Sequence, residues 1–179
     1  MAERSGTRLW LMRAVYPTLA LLILFAQLLP MQAAPARIAG PDLLVALTFV
    51  WALRRPDYVP MLSIAAVMLL ADLLTQRPPG LWAALVLLAA EWLKAQDRRV
   101  RGNTFFAEWL TVATALMVIA VIYRVVLGLL VPGPGTLAMH AIQYGMTLAA
   151  YPLVAAISHI AFGVRHSAPG EFDPVGRGA

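Results

Sequence analysis

Four side chains able to do chemistry stand inside apolar runs: Asp72 in the run from Tyr58 to Thr75, Arg124 in that from Phe105 to Val131, and His140 and Tyr144 in that from Thr136 to Gly163. A lone carboxylate at the centre of a bilayer helix costs up to about 3 kcal/mol and needs a partner or a polar cavity. No other opposite charge lies near either of them on the spans, so Asp72 and Arg124 are expected to form an intramembrane ion pair. Glu91 and Lys94 are spaced i, i+3 and can pair on one helix, with Glu108 and His159 at their level. Catalytic constellations are missing. Ser158 and His159 are adjacent and point about 100° apart on a helix, which is no dyad. His140 and His159 stand about 28 Å apart along one helix, too far to share a metal. There is no cysteine and no glycine-rich phosphate loop. The expectation is a protein without catalytic residues, metal or cofactor.

Composition says what surrounds these groups. Hydrophobic residues make up 61% and charged residues 13% of 179, about half the charged share of a soluble domain. The net charge of +5 lies in short clusters between apolar runs, where it sets membrane orientation and gives no nucleic-acid surface.

The element at the centre of the sequence is a hairpin, residues 56 to 94. Its first arm, Tyr58 to Thr75, is about 27 Å long as a helix and its second, Gly80 to Leu93, about 21 Å. Gln76-Arg77-Pro78-Pro79-Gly80 ends one helix and starts the next, because the residue before proline is pushed out of the helical region and proline suits a first turn. Before the hairpin lie an uncleaved span, Leu9 to Leu29, and the short run Leu43 to Leu53 between Pro41 and Pro56. After it come a basic loop, Lys94 to Asn103, and two spans joined by Pro132-Gly133-Pro134-Gly135. Counting basic residues decides in favour of the short run as a span. With six spans and the N-terminus inside, Arg4, Arg8, Arg13, Arg54, Arg55, Lys94, Arg98, Arg99, Arg101, Arg165 and Arg177 fall on the cytoplasmic side, and only Arg37 and Arg77 outside. The fold class is thus an all-α polytopic membrane bundle, one domain over residues 1–163 with spans at about 9–30, 41–54, 58–75, 80–95, 105–131 and 136–163. Residues 164–179 are expected to be a short disordered cytoplasmic tail. Lys94, Arg98, Arg99 and Arg101 form the largest basic cluster, facing anionic membrane lipid on the cytoplasmic side.

The last span carries His140, Tyr144, Thr147, Tyr151 and Ser158 on one face. Beside them run Ala141, Gly145 and Ala149, small residues every fourth position that let another helix approach closely. The span is expected to pack against protein.

The order of these features resembles the bacterial rod shape-determining MreD family. The resemblance is carried by Pro41-Asp42-Leu43-Leu44 opening the short span, Pro56 closing it, Asp72-Leu73-Leu74 with Pro79-Gly80-Leu81 across the hairpin turn, and Trp109. It covers about residues 17 to 163. Met68 and Gln76-Arg77-Pro78 depart from it, standing where the family often has a glycine and a small Gly- or Ser-rich turn. It implies a six-span, non-enzymatic protein of the inner membrane that binds MreC and works with MreB filaments, RodA and its penicillin-binding transpeptidase in peptidoglycan synthesis and cell shape. The family is also similar in architecture to the substrate-binding subunits of energy-coupling-factor transporters. On that alternative, Asp72, Arg124, His140 and Tyr144 line an outward-facing solute pocket.

Overall fold

In the computed structural model of the chain, residues 2–29, 40–100, 104–130 and 137–164 are described. They form six helices and a short 3-10 turn: α1 (Ala2–Leu28), α2 (Leu43–Arg54), the turn Pro56–Tyr58, α3 (Met61–Leu74), α4 (Leu81–Val100), α5 (Phe105–Leu130) and α6 (Leu137–Phe162). No strand occurs among the described residues. Three stretches, Leu9–Leu28 of α1, all of α5 and all of α6, are long and apolar enough to cross a membrane, while α2 and α3 are shorter apolar helices. The expected loop from Lys94 is corrected in part. Helix α4 runs on to Val100, because Lys94-Ala95-Gln96-Asp97-Arg98-Arg99 contains no glycine or proline to stop it. Arg101, the turn at 132–135 and the tail from 165 lie outside the described residues.

Helix α2 is the centre. Every residue from Leu44 to Leu53 is buried, which is where a helix apolar on all sides has to go. Helices α1, α4 and α6 pack directly on it, α3 lies against α1 and α4, and α5 against α4 and α6. Trp51, fully buried, holds Tyr16, Tyr58 and Phe162 around its ring at centroid distances of 6.1, 6.3 and 5.7 Å. The outward faces are apolar too: Leu62, Leu129 and Ile160 are more than four-fifths exposed. So continuous an apolar exterior suits hydrocarbon and not water.

Two local devices let the chain turn and bend. At the end of α3 the amide of Arg77 bonds to the carbonyl of Asp72 at 3.1 Å, with Gln76 between them in the left-handed region at φ 55°. This six-to-one closure ordinarily places glycine at that position. In α6, Pro152 has no amide proton, so the carbonyl of Leu148 loses its intrahelical donor. The indole Nε1 of Trp109 on α5 donates to that carbonyl at 3.1 Å. The proline and a tryptophan on the neighbouring helix thus form one unit.

Replacing Gln76 by glycine removes a left-handed strain of about 1 kcal/mol and is expected to raise the unfolding midpoint. Trp109→Phe is expected to cost about 1–2 kcal/mol by orphaning the Leu148 carbonyl. That loss should shrink in a Pro152→Ala background, where the helix regains its own donor, and a double-mutant cycle on thermal unfolding checks it.

Candidate functional site

Asp72 is fully buried near the C-terminus of α3, where its charge opposes the dipole of its own helix. Its Oδ2 accepts from the amides of Gly80 and Ala83, both at 3.0 Å. Ala83 lies in the first turn of α4 and Gly80 immediately precedes that helix, where amides have no intrahelical partner. Asp72 is therefore the N-cap of the next helix, supplied from across the turn. The carboxylate expected to pair with Arg124 thus bonds to backbone through Oδ2, and its second oxygen, Oδ1, is buried without a hydrogen bond. Spacing hid this, since eight and eleven residues separate the partners in sequence. The hairpin residues Asp72, Leu73, Leu74, Pro79 and Gly80 share one turn. Leu73 is exposed, and Gly80, at φ 87°, holds a conformation that side chains resist.

The N-terminus of α2 meets the same end of the bundle. Asp42 Oδ1 accepts from the amide of Val45 at 3.2 Å and so caps α2. Its own amide donates to Thr147 Oγ1 at 2.9 Å, and Oδ2 meets Arg77 Nη1 at 3.5 Å. The Arg77 guanidinium lies over the Trp82 ring, 5.6 Å from its centroid. Between these groups and α5 and α6 is an open cleft of about 110 Å³. Of the four residues expected to line an outward pocket, His140 and Tyr144 do so, beside Arg77, Trp82, Tyr123 and Gln143. Asp72 and Arg124 are not part of its wall.

At the opposite end of α2 is a buried ionic centre that sequence reasoning missed. Arg54, in the last turn of α2, grips Glu108, in the first turn of α5, with Nε to Oε1 at 2.8 Å and Nη2 to Oε2 at 3.0 Å. Tyr151 donates to the same Oε1 at 2.7 Å, and Arg54 Nη1 reaches the carbonyl of Ala155 at 3.4 Å. Both charges complement the helix ends they occupy, and a forked pair is the strongest form of this contact. Nearby, Trp51 Nε1 donates to Ser158 Oγ at 3.1 Å. The polar face of α6 thus divides by depth: Tyr151 and Ser158 dock α5 and α2, His140 lines the cleft, and Tyr144 and Thr147 between them line the cleft while bonding to α5 and to the amide of Asp42. The 3-10 turn is pinned by Arg13 Nε to the Asp57 carbonyl at 2.9 Å and by Lys94 Nζ to the Val59 carbonyl at 2.6 Å. Lys94 also meets Glu91 at 2.7 Å. Arg98 and Arg99 extend α4 beyond it.

The small-residue stripe faces outward. Ala141, Gly145 and Ala149 are exposed, and a Cβ added at Gly145 would touch nothing within 4 Å. Close packing of α6 inside the bundle therefore uses the polar face instead. Among the described residues no group of three His, Asp or Glu side chains is placed to hold a metal ion.

None of the family models, curated proteins or solved structures searched matches the chain. Function has to be argued from the geometry.

Removing one partner of the buried centre leaves the other charged and unpaired, so Arg54→Ala or Glu108→Ala is expected to cost about 3–5 kcal/mol. The apolar triple replacement Arg54→Met, Glu108→Leu and Tyr151→Phe should recover most of that loss. Unfolding midpoints of the purified variants, compared in one detergent, check both expectations.

Proposed function

We propose that the chain is a six-span, non-enzymatic protein of the bacterial inner membrane, with both termini cytoplasmic. It serves as a scaffold of the cell-elongation complex, binding MreC laterally and linking MreB filaments to RodA and its transpeptidase. One observation carries the reading most directly: the polar residues behind the resemblance tie helices to one another. Asp42 caps α2 and bonds to α6, Asp72 caps α4 from α3, and Trp109 joins α5 to the proline carbonyl of α6. A motif devoted to rigidity suits a protein whose task is to present fixed helix surfaces. In such a chain partners are met through lipid-facing helix surfaces, and small residues there let a second backbone approach. The exposed stripe Ala141, Gly145 and Ala149 fits that use, and the basic sequence Lys94, Arg98, Arg99 and Arg101 is assigned to the cytoplasmic side.

A mild-detergent pull-down of the tagged chain from its own membranes tests the proposal. Recovery of an MreC-like protein with the wall synthase supports it; recovery of a paired ATPase and a coupling subunit overturns it for the solute-binding alternative. Gly145→Leu is expected to leave the unfolding midpoint unchanged, since the added side chain meets open space. It should lower partner recovery severalfold.

A further inference from the structure

The cleft where α2, α4 and α6 begin is lined by a mixture that helix packing alone does not require. One wall is apolar, from Val45, Leu116 and Ala120, and the other carries Arg77, His140 and Gln143. Its acid is already committed. Both oxygens of Asp42 are engaged, one by the amide of Val45 and the other by Arg77. Arg77, by contrast, offers five N–H donors in a planar fork. Its ion pair with Asp42 occupies Nη1 alone, at 3.5 Å, and its side chain is about a third exposed. The Arg77 fork thus has donors beyond the one on Asp42, beside an apolar wall.

Position narrows the choice of ligand. His140 lies one turn inside the start of α6, about 5 Å along its axis. Both α5 and α6, each apolar enough to cross a membrane, have an end here: α5 stops at Leu130 and α6 starts at Leu137. From this end the cleft runs inward to Leu116 and Ala120, midway along α5. Of the helix N-termini that bound it, those of α2 and α4 already carry Asp42 and Asp72, while α6 has no acid in its first turn, where the peptide dipole favours negative charge.

We propose that this cleft binds a phosphoryl group, with the Arg77 fork on the phosphate oxygens and, where the group is carried on a lipid, the apolar wall against the lipid's body. The site goes beyond the scaffold reading and does not depend on it. Two sources share this chemistry, a membrane phospholipid and a soluble phosphate.

Thermal unfolding of the full chain in a phosphate-free non-ionic detergent tests it, with three probes: dihexanoyl phosphatidylglycerol, dihexanoyl glycerol without phosphate, and inorganic phosphate. The phospholipid, at about a hundred times its dissociation constant, is expected to raise the midpoint by roughly 5 °C or more, and Arg77→Gln to abolish the rise. If inorganic phosphate gives a shift that Arg77→Gln also removes, the site stands and its ligand is soluble. Ala120→Leu, which fills the cleft from α5 and leaves Arg77 in place, should abolish the rise as well and serves should Arg77→Gln fail to fold. A shift from the phosphate-free glyceride as large as that from the phospholipid overturns the proposal. So does a shift that survives Ala120→Leu, or none with any probe.

Discussion

A twelve-residue helix surrounded on all sides by protein cannot leave its terminal amides and carbonyls to water, and it is too short to carry them to an interface at about 18 Å. That constraint on α2 organises the rest. Its first turn is closed by Asp42, and its last residue, Arg54, places a cation where the dipole is negative and an acid on α5 neutralises it. The neighbours are chosen to match. Thr147, Tyr151 and Ser158 on α6 each meet the α2 segment or its partner Glu108, at the start, the end and the aromatic centre.

The same economy governs the surrounding helices. A polar group in apolar surroundings is stable only when its bonds are made, and here most bonds cross from one helix to the next. Asp72 serves α4, Trp109 serves α6, Tyr144 donates to the carbonyl of Ala113 on α5 at 3.1 Å. These contacts fix register between helices whose apolar faces would otherwise slide. The exterior is left to leucine, isoleucine and valine, which pack against lipid as readily as against one another.

Much of this was legible in the sequence. Run lengths and prolines gave the six helices to within a few residues over most of the chain, and the spacing of His140, Tyr144, Thr147 and Tyr151 gave the inward face of α6. The partners were not legible. Asp72 was matched with Arg124 by charge and depth, yet its donors are backbone amides, which every residue carries and no composition reveals. Arg54 was counted only among the cytoplasmic-side charges that set topology, although its place in the last turn of a short span and that of Glu108 in the first turn of α5 put both at one level. The outward orientation of Gly145 was hidden because two adjacent stripes on one helix look equally suited to packing. The helical extension to Val100 was readable from the lack of a breaker, and the basic charges drew attention away from it.

The order in which a ribosome makes the chain gives the short central helix a further consequence. The bonds that hold α2 to α6 join residues 105 and 107 positions apart. At about 5–20 residues per second, α6 emerges some 5 to 20 s after α2. During that interval Trp51 and the amide of Asp42 have no partner from the last helix, and ten apolar residues sit in a segment too short to span a bilayer by itself. The α3–α4 hairpin closes within its own turn and needs nothing made later. The nascent chain therefore passes through a stage with one finished hairpin and one waiting helix. That stage is where a chaperone or insertase would act, and where truncation before residue 147 would strand the core.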